Sequence, residues 1–332
     1  MTRTDAARAA DLVVLIPIYN DWASFRLLVG RLDEALMRRP HSETCRVIAV
    51  DDGSTEPPPS PFELPALRRI EAVEVLRLRL NLGHQRAIAV GLCQVEARCP
   101  CRAVVLMDGD GEDSPDDVPR LLDRCEAAGG RKIVFAERVK RSESLLFRAG
   151  YLAYRLLHRA LTGIPVRVGN FSVIPAPLLS SLVVSSDLWN HYAASVVKAR
   201  LPHDLLPTPR AKRLVGQSRM DLVALVTHGL SAMSVFGDRV GVRLILVLGL
   251  LTALAVVALA ATVTIRLSTS LAIPGWATTA SGLLVVFLSQ LILLMTVFVF
   301  VALGGREGSS FLPARDYAYY IAGIDRIFPQ HE

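Results

Sequence analysis

Apolar runs punctuate the first 140 positions, and each ends on polar residues. Residues 12–16 (LVVLI), 46–50 (RVIAV), 103–107 (AVVLM) and 132–136 (KIVFA) have the length and β-branched content of strands buried on both faces. Residues 73–80 (VEVLRLRL) alternate, as a half-exposed strand does. Between the runs the apolar period lengthens, predicting helices over Ser24–Met37 and Gly83–Ala97. Another helix opens at Ser114, with Pro115 in its first position and acidic residues in its first turn. Ser142–Leu161 reads as a further helix carrying Arg148, Arg155 and Arg159, and Val166–Ile174 as a strand around Gly169-Asn170-Phe171. Alternating strands and helices predict an α/β domain with a mainly parallel sheet over residues 1–219. Ligands of such sheets bind beyond the carboxyl ends of the strands. The polar clusters Pro17–Asp21, Asp51–Ser54 and Asp108–Asp113 all fall at those ends.

The pattern changes after residue 219. Met220–Val240 is amphipathic with little net charge, and residues 220–241 read as juxtamembrane helices lying in the interface. Leu244–Ile265 carries no charge over about 22 residues, about 33 Å as a helix, and Gly282–Leu303 is a second such stretch. With the short Arg266–Gly275 connection, residues 242–305 form a transmembrane hairpin and residues 306–332 a tail. Arg239, Arg243, Arg306 and Arg315 flank the spans on one side and Arg266 on the other. That bias places the large domain and both termini in the cytosol, at the cell inner membrane. Leu12–Ile18 is short, ends in turn residues and lacks a cleavage site, so it does not read as a signal peptide. The spans offer a surface for homo-oligomers.

Composition supports a membrane protein: hydrophobic residues make up 52% of the 332, and the mean hydropathy is +0.38. The net charge of +6 comes mostly from Arg, with no aromatic-interleaved basic stripe, which points to anionic headgroups and not to nucleic acid. Five cysteines at 45, 93, 99, 101 and 125 fit neither a disulfide framework nor a zinc spacing, and read as reduced structural thiols.

Asp108-Gly109-Asp110-Gly111-Glu112-Asp113 holds the densest chemistry. Two carboxylates one residue apart, on a turn leaving a buried strand, suit a divalent cation that keeps positions open for diphosphate oxygens. An EF-hand loop needs Gly where Asp113 stands, and a solvated acidic turn is the plainer alternative. Asp51-Asp52 can accept from the imide of a uracil or the N1–H of a guanine. No glycine follows the first strand, which excludes a dinucleotide fingerprint, and there is no Walker A loop.

From Val13 to Ser172 these motifs resemble the inverting family 2 glycosyltransferases of the GT-A fold. Pro17-Ile18-Tyr19-Asn20, Asp51-Asp52-Gly53-Ser54 and the Asp108/Asp110 pair stand in that family's order. The polyprenyl-phosphate branch, with dolichol-phosphate mannose synthase and bacterial undecaprenyl-phosphate glycosyltransferases, is similar in further motifs. These are Asn81-Leu82-Gly83-His84-Gln85, the run Asp108–Pro115, Gly169-Asn170-Phe171-Ser172, Gly216–Met220 and two C-terminal spans. The chain departs from the pattern at Asp21, Glu112, Asn170 and Arg219-Met220, where the family commonly carries Glu, Gln, Asp and Lys-Tyr.

The resemblance implies a UDP- or GDP-sugar donor bound by Pro17, Tyr19, Asn20, Asp21, Asp51, Asp52, Gly83, His84, Gln85, Asp108, Gly109 and Asp110. It implies Mg²⁺ or Mn²⁺ on Asp108 and Asp110, and a polyprenyl phosphate held by Arg138, Lys140, Arg141, Arg148, Asn170, Ser218 and Arg219. A phosphate acceptor needs no general base, so Asp108, Asp110 and Arg148 would carry catalysis by positioning and charge. A hydroxyl acceptor would need a base, for which Asp187 is the candidate. A third reading is a degenerate transferase domain acting as a membrane scaffold, against which the intact Asp108 and Asp110 stand.

Overall fold

The computed structural model describes residues 10–40, 43–59, 62–138, 155–164, 169–209, 211–215, 222–268, 275–307 and 311–329. They fall into two compact units. One is built from Met1–Gly150, Val166–Val235 and Ser310–Glu332, the other from Tyr151–Pro165 and Phe236–Ser309.

The first unit is organised by one sheet of eight strands: β1 (Leu12–Ile18), β2 (Cys45–Asp51), β3 (Ile70–Leu78), β4 (Ala103–Leu106), β5 (Ile133–Arg138), β6 (Ser172–Pro175), β7 (His203–Thr208) and β8 (Ile321–Phe328). Their order is β7-β5-β6-β4-β1-β2-β3-β8. The central pairs β4-β1, β1-β2 and β2-β3 are parallel, as is β5-β7, whereas β6 runs antiparallel to β4 and β5 and β8 antiparallel to β3. Every residue of β1 and β2 is buried, as expected for continuous apolar runs covered on both faces.

Helix α1 (Trp22–Met37) and helix α3 (Val118–Ala127) cover one face through Phe25, Leu28, Leu32, Leu121 and Leu122. Helix α2 (His84–Arg98) covers the other through Ile88, Leu92 and Val95. It passes so close to the sheet that a Cβ on Gly91 would lie 2.7 Å from Val50 Cγ2 and 2.8 Å from Leu15 Cδ1. That close approach holds the middle of α2 against the sheet, and His84 and Gln85 stand at its first turn.

Several elements differ from the sequence expectation. Pro17 lies inside β1, opposite Val50, and the turn begins only at Tyr19. The ladder to β4 ends at Leu15, which lets a residue without an N–H stand in a central strand. β3 spans Ile70–Leu78 and is mostly buried, because β8 covers its outer edge. The strand near Asn170 is Ser172–Pro175. The stretch expected as a C-terminal tail returns to the sheet as β8, and β7 is also new. The juxtamembrane segment is a helix over Leu222–Ser234, and residues 237–241 already belong to the next helix. Of the expected helix Ser142–Leu161, only residues 155–161 lie among the described residues, within a helical stretch 155–162.

The second unit contains two long helices, Gly237–Ser268 and Trp276–Glu307, packed against each other. Both are long and apolar enough to cross a membrane, and Leu246, Leu250, Leu254, Val257, Leu283 and Leu293 are exposed along them. They contain both expected spans.

Candidate functional site

Ile18, Asp51 and Leu106 end β1, β2 and β4, three adjacent strands, so the loops that follow them converge. The turn after β4 closes directly on β1: a Cβ on Gly109 would lie 3.0 Å from Ile18 Cγ2 and 3.1 Å from the Pro17 carbonyl. Asn20 adopts a left-handed conformation (φ 51°), in which Asn is more tolerated than most residues. Its N–H donates to Ser54 Oγ at 2.9 Å, its Nδ2 to Thr55 Oγ1 at 2.8 Å, and its Oδ1 accepts from Glu56 N–H at 3.0 Å. Ser54 N–H in turn donates to Asp51 Oδ1 at 2.9 Å. The ends of β1 and β2 are thereby one hydrogen-bonded unit. Tyr19 projects from it, 43% exposed.

Asp51 and Asp52 have different tasks. Both oxygens of buried Asp52 are engaged, by Leu82 N–H at 2.7 Å and Gly83 N–H at 2.9 Å. Burial raises the Asp52 pKa and these two N–H groups pull it down, with a net upward shift. Asp52 therefore fastens the loop that leads into α2. Gly53 makes that approach possible: its φ is 68°, and a Cβ there would lie 2.7 Å from Asn81 N.

The first residues of α2 reach the carboxylates. His84 Nε2 lies 3.1 Å from Asp108 Oδ1 and 3.0 Å from Asn170 Nδ2. The neighbouring protein atoms disfavour a charged ring, yet Asp108, with Asp113 and Asp52 behind it, raises the His84 pKa overall. Gln85 is buried and fixed by the main chain: its Oε1 accepts from Tyr192 N–H at 2.8 Å, so its Nε2 donates to Asn170 Oδ1 at 3.1 Å. That sets the Asn170 amide with its NH₂ toward His84.

Asp108 and Asp110 are placed by their own turn. Asp108 N–H donates to Asp113 Oδ2 at 3.0 Å, and Glu112 N–H to Asp110 Oδ1 at 2.9 Å. Burial raises the Asp110 pKa, and the charges of Asp108 and Glu112 add to that against the Glu112 N–H and Arg213. Among the described residues, no group of three or more His, Cys, Asp or Glu side chains forms a metal cage. The donor set is two crowded carboxylates on one turn, which fits a cation that completes its shell with ligand oxygens.

Arg213 is the residue that the sequence did not single out. Residues 211–215 lie along the acidic turn: Ala211 N–H donates to the Glu112 carbonyl and Leu214 N–H to the Asp110 carbonyl, both at 3.0 Å. The Leu214 side chain fills the space over Gly111. Arg213 Nη2 meets Asp21 Oδ2 at 2.5 Å, and Nη1 lies 3.8 Å from Asp110 Oδ2. In the sequence it closes a basic stretch, Arg210-Ala211-Lys212-Arg213, without hydrophobic period, and no carboxylate stands nearby to mark it.

The acceptor candidates are less assembled. Arg138 ends β5, and Lys140, Arg141, Arg148, Ser218 and Arg219 lie outside the described residues. Asp187 is in the short helical turn Ser186–Trp189, where Lys198 Nζ holds its carboxylate at 2.9 Å.

Residues 13–179 match the family model described as glycosyl transferase family 2. Undecaprenyl-phosphate 4-deoxy-4-formamido-L-arabinose transferase of Pseudomonas aeruginosa is 33% identical over 135 residues, 40% of this chain and 38% of that protein. Dodecaprenyl-phosphate galacturonate synthase of Rhizobium johnstonii is 29% identical over 122 residues, 37% of this chain and 34% of that protein. The chain thus matches less than two fifths of the length of either relative. Among solved structures, glucosyl-3-phosphoglycerate synthase of Mycobacterium tuberculosis aligns over 70% of this chain and 80% of its own, at 18% identity and a TM-score of 0.47.

Proposed function

The chain belongs to glycosyl transferase family 2, and from that premise we propose that it is a membrane-bound, inverting transferase that moves a sugar from a UDP- or GDP-sugar to a polyprenyl phosphate at the cytosolic face. The observation that carries this reading is the Asp108/Asp110 turn, set against the ends of β1 and β2 in a chain with two apolar helices. Two relatives named as undecaprenyl- and dodecaprenyl-phosphate enzymes support the acceptor.

In this reading Asp51 takes the N–H of the base beside the Asn20–Ser54 network, and Tyr19 borders the nucleoside. Asp108 and Asp110 would hold Mg²⁺ or Mn²⁺, which supplies charge neutralisation for the departing diphosphate. Arg213 adds a fixed cation on the same side of the site, held in place by Asp21. Asn170 and His84 line the sugar side and orient Asp108. The acceptor phosphate is already anionic and attacks without a base. Positioning and charge stabilisation therefore account for the rate. The engagement of Asp187 by Lys198 agrees with a reaction that does not use it as a base.

The test is direct. Membranes containing the protein, given labelled nucleotide sugars and undecaprenyl phosphate, yield one labelled lipid that mild acid cleaves. Absence of any labelled lipid across the UDP- and GDP-sugars overturns the proposal.

A further inference from the structure

Arg243 stands in the second turn of the helix Gly237–Ser268, immediately before its uncharged stretch. A flanking arginine there is ordinary for a membrane span. Its contacts are not. Arg243 Nη1 donates to the carbonyl of Ala160 at 2.6 Å and reaches that of Arg159 at 3.4 Å. These carbonyls belong to the last turn of the helical stretch 155–162, where main-chain acceptors lack intrahelical partners and partial negative charge accumulates. Arg243 is thus a C-terminal cap supplied from another helix.

The segment is shaped to receive it. Gly163 follows the helix with φ 79° and donates its N–H to the Arg159 carbonyl at 2.9 Å. The left-handed conformation favours glycine, and a Cβ on Gly163 would lie 2.7 Å from Arg243 Nη2, so a side chain there would push the guanidinium aside. Thr162 Oγ1 accepts from Ile164 N–H at 3.2 Å, and the buried His158 ring packs edge-on against Phe236 at 6.4 Å. Residues 155–164 consequently belong to the same compact unit as the two apolar helices.

The outward side of this short helix has a definite chemistry. Arg155 and Arg159 are exposed and one turn apart, a spacing at which like charges repel. Between them Leu156 and Leu157 are 61% and 53% exposed. Exposed leucines between arginines, fixed to the start of a span, match a surface that lies at the headgroup level and gathers phosphate. We infer that Arg243 is a positioning residue for the acceptor: it locks the 155–162 helix to the membrane hairpin so that Arg155 and Arg159 meet the phosphate of the polyprenyl lipid. This rests on the acceptor proposed above.

The experiment uses the full chain in phospholipid nanodiscs, with the Arg243→Gln and Arg243→Lys variants. Arg243→Gln is expected to raise KM for undecaprenyl phosphate at least tenfold and leave KM for the nucleotide sugar within twofold. Arg243→Lys, which keeps a cation that can donate to both carbonyls, recovers most of the loss. Amide exchange at residues 160–164 accelerates in the Gln variant, while β1 and β2 stay protected. Raising the anionic phospholipid content separates the two phosphate sources, since a general headgroup role predicts that the variant's defect vanishes in vesicles rich in anionic lipid. Should Arg243→Gln fail to accumulate, Gly163→Ala displaces the guanidinium and is expected to show the same split. An unchanged acceptor KM, equal shifts in both KM values, or a defect abolished by anionic lipid overturns the inference. Failure of the acceptor reading itself looks different: the wild type then labels no polyprenyl phosphate, while exchange at 160–164 still responds to Arg243→Gln.

Discussion

Arg213 and Asp21, 192 positions apart, meet at 2.5 Å across the mouth formed by the ends of β1 and β4. Both are only about one-fifth exposed, so the pair is shielded from full solvent screening. The same guanidinium stands near Asp110. Arg213 therefore joins the nucleotide-side loop to the carboxylate turn. Arg213→Ala should lower kcat/KM for the nucleotide sugar by about tenfold to a hundredfold, the scale of one charge-assisted hydrogen bond. Arg213→Lys, which cannot span two carboxylates with a planar fork, should recover only part. Unchanged donor kinetics in the Ala variant would remove Arg213 from the site.

Asp110→Asn keeps the size of the side chain and its contact with Glu112 N–H, but removes one charge. Transfer should fall on the order of a hundredfold or more, while thermal unfolding shifts little. The assay is turnover with saturating Mg²⁺ or Mn²⁺, and near-wild-type turnover rejects the metal assignment. Because burial and the charges of Asp108 and Glu112 disfavour ionised Asp110, the Asn variant should be at least as stable as the parent without cation.

The thiols give a test independent of chemistry at the site. Burial pushes Cys93 and Cys101 up to about 12, and Cys45 further. At pH 8 such a thiol is about a thousandfold less ionised than a free one. Native protein should therefore resist alkylation at these positions, and unfolded protein should expose all five free cysteines. Rapid native labelling of Cys93 would contradict its place on the buried face of α2.

The parts legible in the sequence are those where burial acts on both faces or where chemistry is local. β1, β2 and β4 are dominated by apolar runs because helices cover both sides, and Asn20, Asp51 and Asp108 stand at or within a few residues of the strand ends. β7 (HDLLPT) was illegible because it is a partly exposed strand with Pro207 inside it, and β8 (IAGIDRIF) because an edge strand carries no clean alternation. Arg213 was invisible for another reason: its meaning arises from a contact 192 residues away. Asp187 stands out in the sequence as a carboxylate beside Trp189-Asn190-His191, but its ion pair with Lys198, eleven positions on, emerges only from the fold.

The return of the chain as β8 changes what truncation should do. β8 pairs with β3 over six positions, Asp325 is ion-paired with Arg77 at 2.6 Å, and Phe311 and Tyr320 stack on Trp189 at 4.1 and 5.1 Å. Arg86 of α2 lies over the same Trp189 ring at 5.4 Å. Ending the chain at Arg239 removes both long apolar helices but also strips this edge, at a cost of several kcal/mol against a typical domain stability of about 5–15 kcal/mol. Such a fragment should be insoluble or loosely folded. Joining residue 236 to residue 311 through a short flexible linker should restore a soluble, cooperatively unfolding domain that binds nucleotide. A well-folded domain ending at Arg239 would show that β8 is dispensable.

The acceptor class is decided by the contrast between Asp187 and the arginines. If a phosphate attacks, no proton has to be removed, and Asp187→Asn should lower turnover by less than about fivefold, because only a partly exposed ion pair with Lys198 is lost. A cation that holds the acceptor phosphate matters more, since loss of a buried charge-assisted contact costs about 2–5 kcal/mol. Arg148→Ala should accordingly raise KM for the lipid steeply and leave the nucleotide-sugar KM in place. A hydroxyl acceptor reverses both expectations: deprotonation then limits the rate, and a missing base costs about a hundredfold or more. The product supplies an independent reading, because a sugar phosphodiester is cleaved by mild acid and an ordinary glycoside survives it. An inactive Asp187→Asn variant together with an acid-stable product would replace the polyprenyl-phosphate acceptor by a hydroxyl, and family membership would stand unchanged.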